Sequence, residues 1–190
     1  MSRLSADIRI SFNLSTDISM NNSTLMRIGL LLLAAVFVFA WYRYRQPRFR
    51  AGEQAPELEI TLIDGRKAHL SDLRGHYTLL HFWGSWCGPC RAENPQLVRI
   101  YRKYHPDGFE IFSVGIEQRE AAWRSAIEKD GLIWPYHAME SRDFDGGATS
   151  LFNVKSIPST FLLNPEGDII GVNLLPEQIE HLLAEKLAER

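Results

Sequence analysis

Cysteine is almost missing from this chain, with two in 190 residues. A disulfide-stapled scaffold is therefore excluded, since any disulfide within the chain has to join those two. An excess of charge of either sign is also missing: 21 Lys and Arg stand against 23 Asp and Glu, for a formal net charge of −2. Without a basic surplus, nucleic-acid binding is disfavoured. Internal repeats are absent, which removes solenoids and repeat arrays. Paired His or Cys ligand motifs are lacking as well, so two thiolates at a zinc site would want for their other two ligands. What remains is ordinary globular material, 45% hydrophobic and 23% charged, in a length that suits one domain with a tail.

Only one long hydrophobic run occurs. Residues Ile28 to Tyr42, "IGLLLLAAVFVFAWY", are fifteen uncharged positions between Arg27 and Arg43. As a helix they span about 22 Å, short of a bilayer core of roughly 30 Å. Adding Leu25 and Met26, with Arg27 and Arg43 snorkelling to the interface, makes a transmembrane span feasible. Trp41, Tyr42 and Tyr44 sit where an interfacial aromatic belt belongs. A cleaved secretory signal is the rival, with Val38-Phe39-Ala40 as its small-residue cleavage site. Arg43, Arg45, Arg48 and Arg50 follow the run, and flanking charge alone would leave the C-terminal domain in the cytosol. Residues Met1 to Ser19 do not look like a targeting segment, and Met20 or Met26 would make a more usual start. The chain thus divides into a polar tail (1–24), an anchor or signal (25–44), a Pro- and Gly-bearing linker (45–56) and a domain (57–190).

Within the domain, "LEITLIDGRKAHL" alternates around Asp64-Gly65, a hairpin signal. "YTLLHFW", Tyr77 to Trp83, is an apolar run of strand length suited to a buried central strand. Leu97, Val98, Tyr101 and Tyr104 recur at helical spacing between Arg91 and Tyr104. "FEIFSVGI", Phe109 to Ile116, predicts a strand, and "REAAWRSAIEKDG" predicts a helix closed by Gly131. "STFLLN" and "DIIGVN" flank Pro165-Glu166-Gly167 as a second hairpin. A helix from about Pro176 places Ile179, Leu182, Leu183 and Leu187 on one face. The predicted order is a hairpin, β-α-β-α, then β-β-α, with helices on both faces of one sheet.

The two cysteines stand in "WCGPC", Trp86 to Cys90, where the first strand of the sheet passes into a helix. Positions three apart on a helix share a face, close enough for a disulfide. The first sulfur meets unpaired N–H groups and the positive end of the helix dipole, which lowers a thiol pKa from about 8.5 toward roughly 7. Pro89 suits a helix start, where its missing N–H had no partner, and Gly88 keeps the turn open to an approaching chain. The chemistry expected is attack by the Cys87 thiolate on a substrate disulfide, followed by Cys90 displacing the substrate. An inert structural disulfide fits poorly, because so small a loop stabilises little.

"LLHFWGSWCGPCRAENPQL" resembles the active-site segment of thioredoxin-fold proteins, in particular the membrane-anchored TlpA/ResA-like thiol-disulfide oxidoreductases. The resemblance runs from about Ala51 to Lys186 and includes "APELEITLIDGRKAHLSDLRG" and "LFNVKSIPSTFLLNPEGDII". It implies a thioredoxin-like α/β fold with a central mixed sheet covered by helices on both faces, an N-terminal hairpin extension and an N-terminal transmembrane helix. It further implies a monomeric domain facing the periplasm from the inner membrane, reducing protein disulfides there, cytochrome c maturation being the commonest task. No cofactor and no metal is called for; the partners implied are disulfide-bearing proteins and a membrane thiol-reductant donor. A cleaved signal would make the same domain soluble in the periplasm.

Site residues follow from the same match. Pro158 coincides with the family's cis-proline facing the dithiol, leaving the Ile157 backbone to pair with a bound chain. Trp86, Gly88, Pro89, Ile157 and Pro158 form the expected substrate surface. Glu93 coincides with the family's active-site glutamate, which assists proton transfer at the buried thiol; an exposed first-turn glutamate complementing the helix dipole is the plainer alternative. His81 departs from the family, which places aspartate or asparagine there. It reads as a core histidine satisfied by a backbone bond, with a proton shuttle near pH 7 as the other role open to it. Trp83 and Trp86 bracket the site as apolar walls, and the histidines at 69, 76, 105, 137 and 181 read as surface or packing residues. The Gly-Pro pair between the cysteines resembles reducing members, with potentials near −270 mV, rather than oxidants near −120 mV. Two rival functions stand beside this one: a peroxiredoxin-like peroxidase, and a non-catalytic metal or haem-protein chaperone on the same fold.

Overall fold

The computed structural model describes residues 21–45, 49–141, 144 and 146–189. The polar start (1–20) and Arg48 of the basic cluster lie outside the described residues, as does what the sequence predicts of them. The chain divides into two compact units, one ending at Tyr44 and one beginning at Arg45.

In the first unit, α1 (Asn22–Arg45) is a single helix of 24 residues. At 1.5 Å per residue it is about 36 Å long, enough to cross a bilayer core. Its Leu, Val and Phe side chains, from Leu30 to Phe39, are exposed, so it is not the core helix of a soluble domain.

In the second unit β1 (Glu59–Thr61) and β2 (Lys67–His69) pair antiparallel about Asp64-Gly65. Five further strands make one mixed sheet: β3 (Tyr77–Trp83), β4 (Phe109–Glu117), β5 (Tyr136–Ser141), β6 (Ser159–Leu163) and β7 (Ile169–Val172), in spatial order β5-β4-β3-β6-β7. β3 runs parallel to β4, and β4 to β5, whereas β6 is antiparallel to both its neighbours. Every residue of β3 and of β4 is buried. Alternation then sorts their side chains, since successive residues of a strand point to opposite faces. Leu79, Trp83 and Ile111 join the cluster that holds both cysteines, while Leu80, Phe82, Phe112 and Val114 join the cluster around Phe152 and Phe161 on the other side.

Helices α2 (Gly88–Tyr104), α3 (Glu120–Asp130), α4 (Gly147–Leu151) and α5 (Pro176–Ala188) complete the unit. Gly131 closes α3 in the left-handed conformation that glycine adopts without a Cβ penalty. Two elements depart from the predicted order. A strand, β5, and a short helix, α4, occupy the segment before Pro158, where the sequence predicts neither. "YHAMES" has no clean alternation, and its strand form depends on the ladder that β4 offers it. The five-residue α4 is too short to be stable by propensity. It is held from outside, by the Glu140 carboxylate accepting from the Thr149 N–H and hydroxyl, each at 3.0 Å.

Candidate active site

Strand β3 delivers the chain to a tight turn, in which the Cys87 N–H donates to the Gly84 carbonyl at 3.1 Å. Gly84 is needed there for space: a Cβ would lie 2.8 Å from Trp86 Nε1 and 3.0 Å from Ile157 Cδ1. Cys87 is the N-cap of α2 in extended conformation, and its sulfur accepts from the Cys90 N–H at 3.2 Å. That is the place an anion is favoured at a helix start, through unpaired donors and the dipole together. Cys87 and Cys90 are joined as a disulfide with Cα atoms 5.3 Å apart. Cys87 keeps 5% of its surface in solvent and Cys90 none, so only the first sulfur is open to an incoming group.

The predicted substrate surface is brought together around that sulfur. Trp86 is 43% exposed, Gly88 and Pro89 are exposed, and Ile157 and Pro158 are half-buried. The Ile157–Pro158 bond is cis, and Ile157 packs on the cluster holding both cysteines. Trp83 belongs to the interior instead: it is fully buried and stacks on His81 with ring centroids 6.2 Å apart.

Glu93, one turn after Cys90, is half-buried. Desolvation pushes its carboxyl above the usual carboxylate range, and the negative charge of Glu177 pushes the same way. With Pro158, Ser159, Thr160 and the segment Asn173–Leu175 it lines a cavity of about 150 Å³.

His81 is wholly buried, and burial followed by repulsion from His137 pushes it down to about 3. It is a neutral core histidine at pH 7. Its partner is not the backbone group that the sequence suggests but the Ser113 hydroxyl, 3.2 Å from Nδ1. The reason is register: His81 stands directly opposite Ser113 across the parallel β3–β4 pair.

Sequence reasoning missed a polar frame behind the cysteine turn. Glu117, the last residue of β4 and 4% exposed, accepts from the Ser85 N–H and, at 3.0 Å, from the Ser85 hydroxyl. Its neighbour Ile116 accepts from Trp86 Nε1 at 2.7 Å. Arg91 Nη1 donates to the Ser85 carbonyl at 3.3 Å and forks onto Asp130 at the end of α3, with Nη2 to Oδ1 at 2.6 Å. Asp130 also accepts from Asn94 Nδ2 at 2.6 Å. Apart from Ser85 and Arg91, six positions apart, the bonded pairs lie 30 to 39 positions apart in sequence, and no local signal joins them.

The chain is similar to known proteins in sequence and in fold. A model of the AhpC/TSA family matches residues 51–172. The thiol-disulfide oxidoreductase ResA of Geobacillus kaustophilus is 31% identical over 161 residues, covering 82% of this chain and 90% of that protein. ResA of Bacillus cereus is 28% identical over 170 residues, covering 87% and 95%. Among solved structures, the thioredoxin domain of a thiol-disulfide oxidoreductase from Bacteroides vulgatus superposes with a TM-score of 0.67 at 27% identity, covering 73% of this chain and 99% of that one. A thiol:disulfide interchange protein DsbE from Chlorobium tepidum does so with a TM-score of 0.63 at 25% identity, covering 73% and 99%.

Proposed function

The chain belongs to the AhpC/TSA family and is a thiol-disulfide oxidoreductase of thioredoxin-like fold; from that premise we propose that Cys87 attacks, Cys90 resolves, and the protein acts as a reductase of protein disulfides outside the cytoplasm. The observation that carries the assignment is the inequality of the two sulfurs. Cys87 is the one with residual exposure and the one that caps α2, so it is both reachable and stabilised as thiolate.

The Cys87 thiolate attacks a substrate disulfide, forming a mixed disulfide and expelling one substrate thiolate. Cys90, deprotonated with Glu93 as base, then attacks the Cys87 sulfur. The mixed disulfide breaks, the second substrate thiolate leaves, and the Cys87–Cys90 disulfide remains. Two electrons have passed to the substrate, and a membrane thiol-reductant donor restores the dithiol. Trp86, Gly88 and Pro89 on one side and Ile157 and Pro158 on the other give an extended polypeptide an apolar cradle, with the Ile157 backbone available for strand-like pairing. The Gly-Pro pair favours the reducing direction. Helix α1 is long and apolar enough to tether the domain to a membrane. Its monomeric state, its place at a bacterial inner membrane facing the periplasm, against the flanking charge, and cytochrome c maturation as its candidate task are inferred from the resemblance to the ResA and DsbE proteins.

The test is a trap. Full-length protein carrying Cys90→Ser is expected to hold its partner as a mixed disulfide on Cys87, while Cys87→Ser abolishes both trapping and insulin reduction. Insulin reduction that survives Cys87→Ser would overturn the assignment, and peroxide turnover by Cys90→Ser with Cys87 intact would favour the peroxidase. A reporter fused after Arg190 that is active only inside the cytoplasm would refute the periplasmic placement.

A further inference from the structure

We propose that Glu117 is a positioning residue whose buried charge, set behind the cysteine turn, tilts the Cys87–Cys90 couple toward the disulfide and so makes the protein more reducing. The inference rests on the reading of Cys87 as the attacking sulfur.

The geometry does two things at once. Glu117 takes both hydrogen bonds that Ser85 can donate, and Arg91 donates to the Ser85 carbonyl. Trp86 is pinned by the carbonyl next to Glu117, and the Cys87 N–H closes the turn on Gly84. Ser85, Trp86 and Cys87 are thus each tied by hydrogen bonds before α2 begins, and the end of β4 supplies most of the ties.

Charge is the second effect. Ser85 and Cys87 are two residues apart, at most about 7 Å between Cα atoms, so the Glu117 carboxylate lies within about a Debye length of the Cys87 sulfur. Among the described residues, the charged side chains bonded into the frame of the turn are Glu117 from β4, Arg91 from α2 and Asp130 from α3; Glu93 from α2, repelled by Glu177 from α5, lies with Pro158. Arg91 is forked onto Asp130 and also attracts Glu117 from a distance, so one cation is shared between two carboxylates and the Glu117 charge is only partly offset. A nearby anion that is only partly offset disfavours a thiolate. Reduced protein is destabilised relative to the disulfide, electrons are surrendered more readily, and the α2 dipole's pull on the same sulfur is partly opposed.

The measurement is the equilibrium of the full chain, in detergent, against a glutathione redox buffer, together with thermal unfolding and the pH dependence of Cys87 alkylation. Glu117→Gln keeps shape and one acceptor but removes the charge. A unit charge at roughly 10 Å in an effective dielectric near 20 is worth about a tenfold change. Measured above the alkylation midpoint, where the Cys87 thiol is ionised, the couple is therefore expected to move about tenfold toward the dithiol, about 30 mV less reducing, with the alkylation midpoint about one pH unit lower. Ser85→Ala keeps the charge and loses one bond, so it should lower thermal stability while moving the couple less than threefold. Arg91→Gln, which removes the cation shared by Asp130 and Glu117, should lower stability but shift the couple the opposite way. A purely structural staple would move all three variants in one direction, and that result, or a Glu117→Gln couple within twofold of wild type, overturns the proposal. Wild-type insulin reduction is the separate control: its absence would sink the oxidoreductase reading on which this one rests, whereas normal insulin reduction with an unmoved Glu117→Gln couple would sink this inference alone.

Discussion

His81 Nδ1 lies 3.2 Å from Ser113 Oγ across the central strand pair, and the same hydroxyl oxygen is 2.9 Å from the Trp134 indole nitrogen that donates to it. One serine therefore gathers two ring systems in the interior, and a second histidine, His137, stacks on Trp134 with centroids 5.5 Å apart. Both imidazoles are buried and both are held neutral.

That neutrality makes stability depend on pH. Burial pushes His81 down to about 3 and His137 down to about 4, below the ordinary value near 6.5. Between those values the unfolded chain binds protons that the folded one refuses, so stability is whole above about pH 6.5 and falls as pH drops through the window, by up to about 1.4 kcal/mol per pH unit for each group. Glu93 and Glu110, pushed up by burial, work against that slope. Denaturant midpoints of the oxidised protein should fall from pH 7 to pH 5, and the fall should shrink in His81→Asn. Parallel profiles for the two proteins would deny His81 this role.

Asp130 is the anchor of Arg91 and of the Asn94 amide, and Asn94 is fully buried. Asp130→Ala leaves the buried Asn94 amide without this acceptor and takes from Arg91 its carboxylate partner, so it is expected to cost about 2–4 kcal/mol of unfolding free energy. Asp130→Asn, which keeps an acceptor, should cost about half as much. Equal losses in chemical denaturation would mean that the acceptor does not matter.

Gly84→Ala drives a methyl group into Trp86 and Ile157. Either the indole leaves Ile116 or the cis-proline loop shifts, at a cost of roughly 1–3 kcal/mol. Because both walls of the substrate cradle move, the rate of insulin reduction should fall along with stability. A variant with wild-type turnover would show that the cradle adapts.

The resolving step should carry the signature of Glu93. A base acts only when ionised, so the single-turnover rate should rise with pH through a value above the usual 4.5. Glu93→Gln should erase that limb and slow the step by about a hundredfold, followed by the fluorescence of Trp86 beside the disulfide. An unchanged profile would return Glu93 to the plainer role of complementing the helix dipole.

Much of this was legible beforehand, where the signal was local. The boundaries of β3, Tyr77 to Trp83, coincide with the apolar run, because a strand buried on both faces has no charged position to blur it. The start of α5 at Pro176 and the end of α3 at Gly131 were likewise written in residues whose backbone preferences are strong. The cis bond before Pro158 was legible by resemblance alone, since most X–Pro bonds are trans. β5 and α4 were not legible: the ladder holding "YHAMES" belongs to β4, and the carboxylate capping α4 belongs to Glu140, seven residues ahead of it.

The sequence by itself determined the reaction, because a cysteine pair spaced one helical turn apart at a strand-to-helix junction carries its own activation: the helix that follows supplies the donors and dipole. Only the tertiary structure decided what surrounds that pair. Ser85 meets Glu117, Arg91 meets Asp130 and His81 meets Ser113 through the parallel register of β3 and β4 and the packing of α2 beside α3. Those contacts join residues 32 to 39 positions apart, and a side chain's partner across such a span is chosen by the pairing of whole elements rather than by any property of the residues themselves.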